Sequence, residues 1–100
     1  MPITTQTQKG FGIETLRMMA SLHGADDLQV STKPIKKYMV LYHGEWIHFG
    51  GSGYSDFTKH RDPVRRQNYR ARHSAIRLAD GRRAYKVKES PAYWSWHILW

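Results

Sequence analysis

Residues 37–49 read KYMVLYHGEWIHF, in which Tyr38-Met39-Val40-Leu41-Tyr42 and Glu45-Trp46-Ile47-His48-Phe49 flank His43-Gly44. Two residues ending in glycine between two such runs predict a tight β-hairpin. The turn that matches the twist of paired strands needs positive φ, which glycine adopts without steric cost. A two-residue turn fixes the register, setting Tyr42 against Glu45, Leu41 against Trp46, Val40 against Ile47, Met39 against His48 and Tyr38 against Phe49. One face then carries Tyr38, Val40, Ile47 and Phe49, and the other carries Met39, Leu41, Trp46 and His48. Both faces are largely apolar, so the hairpin is expected to be covered on both sides. An isolated two-stranded ribbon is unstable without such cover.

Residues 50–73, GGSGYSDFTKHRDPVRRQNYRARH, organise the rest of the chain. Gly50, Gly51 and Gly53 read as a sharp turn. A phosphate-cradling loop would lead directly into a helix and carry a GxxxxGK[ST] pattern, and neither is present. Asp62-Pro63 is a helix start, because the carboxylate accepts from free first-turn amides and proline fits the first helical position. The helix is predicted from Pro63 to an end between His73 and Ala79, with Asp80-Gly81 as its outer limit. On a helical wheel Val64, Asn68, Ala71, Ala75 and Leu78 share one face, and Arg66, Arg70, His73 and Arg77 form a ridge on the opposite face. Arg65 and Arg72 flank the apolar stripe near Tyr69 and Ile76.

Downstream, residues 84–87 read as a short strand. Ser90-Pro91 repeats the cap-then-proline start for a short aromatic helix over residues 92–100, AYWSWHILW. Tyr93, Trp96 and Trp100 share one side and Trp94 and Ile98 another, so this helix is expected to be buried, in the domain or in a partner. Upstream, Ile13, Leu16, Met19 and Ala20 predict a short helix stopped by Gly24. Residues 29–32 form a β-like patch within a linker, and residues 1–12 read as an extended arm. The expected fold is a small single α+β domain over residues 35–100, with the hairpin packed against the basic amphipathic helix and the short C-terminal helix. Residues 1–34 form an arm and linker ahead of it.

A chain of 100 residues is one domain with a modest core, and with no cysteine it has neither disulfide nor thiolate metal site to support it. The net charge of +8 is concentrated: residues 59–88 hold eleven Lys/Arg against two acids, and the rest holds five against six. Such a block suits a polyanion or an acidic protein surface, the plainer alternative being a solvated face. The N-terminus has no apolar h-region and no run of about 18 apolar residues occurs, so an intracellular protein without a membrane span is expected.

Residues 47–100 resemble a family of small uncharacterised basic proteins of large nucleocytoplasmic DNA viruses. The resemblance is carried by His48, Phe49 and Gly50; by Tyr54, Asp56, Phe57 and Thr58; by His60 and Asp62; by Arg72 and His73; and by Trp94, Ser95, Leu99 and Trp100. It implies a viral protein and brings no established activity.

The candidate partner- or phosphate-binding residues are Lys59, Arg61, Arg65, Arg66, Arg70, Arg72, Arg77, Arg82 and Arg83, with Tyr93, Trp94, Trp96 and Trp100 as interface aromatics. His60, Asp62 and His73, with His48, are a conceivable metal-dependent nuclease set. Asp62 is better explained as a helix cap, however, and the arginines beside His73 disfavour a bound cation. A non-enzymatic protein is therefore expected, with no metal, no cofactor and no small-molecule substrate, and Asp56, Thr58 and Asp62 in structural roles. The leading expectation is a minor capsid or cement component of the virion. It would be made in the host cytoplasm and dock on neighbouring virion proteins through its arm, aromatics and arginine ridge. The alternative is a DNA-binding, genome-associated basic protein.

Overall fold

The computed structural model describes residues 12–100. In chain order these form helix α1 (Ile13–Leu22) and strands β1 (Asp27–Val30), β2 (Lys36–Tyr42) and β3 (Glu45–Gly51). A one-turn helix α2 (Phe57–His60) and helix α3 (Pro63–His73) follow, then a 3-10 turn at Ala84–Lys86. A C-terminal segment begins as α4 (Pro91–Trp94) and continues as a π-helical turn (Ser95–Leu99). The fold is α+β, and the arm expected over residues 1–12 lies outside the described residues apart from Gly12.

The hairpin of β2 and β3 has the expected register at all five pairs. His43 and Gly44 both take positive φ, 50° and 79°, the geometry that lets a two-residue turn follow the strand twist. β1 adds a third antiparallel strand on the other side of β2, pairing Leu28 with Val40 and Gln29 with Met39. Arg17 ties α1 to this strand, its Nε donating to the Leu28 carbonyl at 3.0 Å.

The core joins Leu16 and Ala20 of α1, Leu28 of β1, Val40 and Phe49 of the hairpin, and Trp94, Ile98 and Leu99 of the C-terminal segment. A boundary at residue 34 therefore cuts through the core. α1 and β1 belong to the domain, and the β-like patch assigned to a linker is a sheet strand. Among the described residues the sheet is covered on one face only. Leu28, Val40 and Phe49 are fully buried, whereas on the opposite face Met39, Leu41 and His48 are half-buried and Trp46 is 41% exposed. Among the described residues the expected cover on both sides is not seen: α1 and the C-terminal segment pack on the face that carries Phe49.

Ser90 caps α4, its hydroxyl accepting from the Ala92 amide at 3.2 Å, with Pro91 in the first turn. The segment then widens to a π-helical turn, in which the Trp100 amide reaches the Ser95 carbonyl at 3.1 Å. The expected plain α-helix would carry successive side chains round faster than this turn does. The wider turn keeps Ile98 and Leu99 both in the core and brings Trp100 against Tyr69. Tyr93 and Trp94 are core residues, not interface residues: Trp94 is fully buried and its indole N–H donates to the Lys88 carbonyl at 2.7 Å. The strand expected at residues 84–87 is a 3-10 turn. Pairing occurs instead across Arg77 and Arg83, closed by a turn at Asp80-Gly81 in which Gly81 has φ +91°.

Behind the core, His23 and His97 lie 4.8 Å apart, and His23 Nδ1 is 2.9 Å from the Tyr93 hydroxyl. Burial above all, and then the His23 ring, hold His97 down at about 4 against an ordinary 6.5. Arg70 and Lys88 act in the same direction, and a backbone bond at Tyr85 opposes them. His23 is lowered by burial and by Lys88. Above 6.5 the ring of His97 is neutral in both folded and unfolded chains. As pH falls from 6.5 towards 4, only the unfolded chain takes up the proton, so stability is lost across that window. After discounting for solvent screening of a half-buried ring, His97→Gln should remove roughly 1–2 kcal/mol of the loss between neutral pH and pH 4. Thermal melts of both proteins across this range check it; parallel pH profiles would contradict it.

Candidate functional site

α3 begins as its sequence requires. Asp62 Oδ1 accepts from the amides of Val64 at 2.9 Å and Arg65 at 3.3 Å, and Pro63 occupies the first turn. Its orientation is the reverse of the one predicted. Val64 is 63% exposed, and Asn68 and Ala71 face water, whereas Tyr69 is buried and Arg66, Arg70 and His73 are half-buried. The packing stripe is Arg66, Tyr69, Arg70 and His73, spaced i, i+3, i+4, i+7. One valine and small alanines offer little area to bury. The body of the domain presents aromatic rings, and arginine stems and guanidinium planes pack on rings well. The Arg66 guanidinium lies 4.6 Å from the centre of Phe57 and that of Arg70 lies 5.2 Å from Trp96, while Arg70 Nη2 donates to the Trp100 carbonyl at 3.2 Å.

Two ridge arginines are thus fastenings of the helix. Arg70→Gln is expected to cost about 1–3 kcal/mol through the lost ring contact and charged hydrogen bond. A urea midpoint unchanged from wild type would contradict this.

The loop before α3 is held by Asp56, which is 1% exposed. Its Oδ1 accepts from the Thr58 amide at 3.0 Å and from the Thr58 hydroxyl, and its Oδ2 accepts from Lys37 Nζ at 2.6 Å. The expected structural role holds, with Lys37 of β2 as the charged partner. His60 Nδ1 accepts from the Asp62 amide at 2.9 Å, so the loop sets the entry to α3.

These elements enclose a cleft of about 600 Å³. One wall is a second stripe of α3, Arg65, Asn68, Tyr69 and Arg72, again at i, i+3, i+4, i+7. Facing it are Ala92, Ser95, Leu99 and Trp100; Lys37, Asp56, Gly50 and Gly51 also line it, with Lys36 and Tyr54. Trp100 stacks on Tyr69 at 4.3 Å and 5°, and Tyr69 stacks on His73 at 3.8 Å and 15°, so three parallel rings stiffen the wall. Burial pushes the Tyr69 phenol up to about 12, despite a hydrogen bond with Ser95 and the nearby charge of Arg72. The phenol is therefore neutral at pH 7. Asp56 neutralises Lys37, while Lys36, Arg65 and Arg72 make no ion pair among the described residues. The cleft thus combines fixed rings with net positive charge.

Of the nine candidate cations, Arg65 and Arg72 reach the cleft. Lys59, within α2, and Arg61, at its C-terminal end, are exposed. Arg77, Arg82 and Arg83 hold the turn over residues 74–84: Arg77 donates to the Gly81 carbonyl at 2.8 Å, Arg82 pairs with Asp80 at 2.7 Å, and Arg83 donates to the Ser74 carbonyl at 2.6 Å. Trp96 stacks on Tyr85 at 4.1 Å. Lys36, Tyr54 and Asn68 are not among the site residues the sequence suggests. The spacing of Asn68 between Arg65 and Arg72 is the available signal for one of them. Among the described residues no three His, Asp or Glu gather as metal ligands, and no helix is long and apolar enough to cross a membrane.

The profile of a family of unknown function (DUF5754) matches residues 27–73. That span holds the sheet, the Asp56 loop and the α3 wall of the cleft, while the wall ending in Trp100 lies beyond it. No curated protein and no solved structure matches the chain.

Proposed function

We propose that this is a non-enzymatic nucleic-acid-binding protein that holds phosphates at the cleft between α3 and the C-terminal segment. The observation that carries this reading is the placement of Lys36, Arg65 and Arg72, without ion-pair partners among the described residues, around a cleft walled by stacked rings. Cations that release counterions from phosphates, beside aromatic surfaces, are the general equipment of such proteins. With the resemblance to proteins of large DNA viruses, this reading puts the protein with the viral genome. Labelled-oligonucleotide anisotropy at 50–200 mM salt tests it. Three cations on a single strand predict a slope of log K against log salt of about −2, and Arg65→Gln with Arg72→Gln should flatten it to about −0.7. Absence of binding, or a slope untouched by the double variant, would contradict the reading.

The second reading is a minor capsid or cement component of the virion. It is favoured by the sheet face with Met39, Leu41 and the 41%-exposed Trp46, which is uncovered among the described residues. On that reading Trp46→Ser lowers incorporation into particles and leaves oligonucleotide binding unchanged.

A further inference from the structure

Tyr54 is 76% exposed, yet its position is built into the fold. Gly51 is not among the residues with positive φ, so its backbone conformation does not require glycine. A Cβ there would lie 2.8 Å from Tyr54 Cδ2 and 3.5 Å from Cε2. The glycine therefore serves space alone: it lets the ring rest against the end of β3. The turn that follows, with the Tyr54 amide donating to the Gly51 carbonyl at 3.3 Å and Gly53 at φ +88°, returns the ring to that place. A large ring at the cleft with most of its surface in water is a stacking surface without an occupant among the described residues.

Resting on the nucleic-acid reading above, we infer that the cleft takes single-stranded nucleic acid. One unpaired base stacks on Tyr54, and the flanking phosphates lie on Arg65 and Arg72. Asn68, between the two arginines on the same stripe of α3, offers an amide to a base edge or sugar. A cleft of about 600 Å³ has the size of a site for one small ligand, such as a nucleotide unit. In a duplex the bases are stacked on one another and paired, so none is available to a ring inside a cleft unless it leaves the stack. A single strand offers its bases directly, and their π-faces stack on a tyrosine whatever the sequence.

The experiment compares an oligo-dT decamer with a duplex of the same length at one salt concentration. The proteins are wild type, Tyr54→Phe, Tyr54→Ala and Gly51→Ala, each with its thermal midpoint measured. Wild type and Tyr54→Phe should bind the single strand more tightly than the duplex. Tyr54→Ala should lose about 5- to 100-fold on the single strand and little on the duplex. Gly51→Ala should lose single-strand affinity too, with Tyr54 still present, because its methyl group displaces the ring. Equal affinities for both forms, or single-strand binding unchanged in Tyr54→Ala, would overturn the inference and leave phosphate binding standing. Failure to bind either form would overturn both.

Discussion

Trp94→Ala is expected to cost about 3–5 kcal/mol, against a total stability of about 5–15 kcal/mol for a domain of this kind. Trp94 is fully buried, its indole N–H donates to the Lys88 carbonyl, and its ring packs with Tyr42 and Tyr93 at 5.7 Å and 5.0 Å between centres. The cavity would open where the C-terminal segment meets the sheet, so α4 and the cleft wall that follows it should loosen together. Trp94→Phe retains most of the volume and loses the hydrogen bond, and should cost about 1–3 kcal/mol. Urea unfolding orders the three proteins. A midpoint for Trp94→Ala equal to wild type would place the tryptophan outside the core.

Asp56→Ala is expected to cost a similar amount, about 3–5 kcal/mol, for an electrostatic reason. Lys37 has only 10% of its side chain exposed, and Asp56 is its ion-pair partner. Removing the carboxylate leaves a desolvated ammonium and an uncapped first turn of α2. Lys37→Met combined with Asp56→Asn removes both charges and keeps an oxygen for the Thr58 amide, so the pair should be more stable than Asp56→Ala alone. If the double variant were the less stable, the stranded charge would not be the source of the loss.

The parts of the fold legible in the sequence were those set by short-range rules. The His43-Gly44 turn determined its own register because the side-chain period of a strand is two. Asp62 and Ser90 announced their helices because capping is a local hydrogen bond. β1 was legible only as a patch, since four residues of which one is buried give almost no period to read. The orientation of α3 was not legible. A helical wheel ranks arginine as polar, and the wheel therefore turned Arg66 and Arg70 outward. Their inward position depends on Phe57 and Trp96, rings supplied by other elements and invisible to any local pattern. The cleft follows from that rotation. Turning Arg66 and Arg70 inward leaves Arg65 and Arg72 on the flank, and the π-helical turn brings Trp100 across from them. Burial of the aromatic C-terminus was legible but not what would bury it: Tyr93 and Trp94 enter the chain's own core, while Trp96 and Trp100 stack on Tyr85 and Tyr69.

The central claim, that the cleft is where nucleic acid binds, is tested most directly by titrating ¹⁵N-labelled protein with an oligo-dT decamer and mapping the amide and side-chain shifts. The expected result is that shifts gather on Tyr54, Arg65, Asn68, Arg72 and the Trp100 indole, with Trp46 and the turn around Arg82 unmoved. Shifts centred on Trp46 and Leu41, or on Arg77, Arg82 and Arg83 with the cleft unmoved, would contradict it.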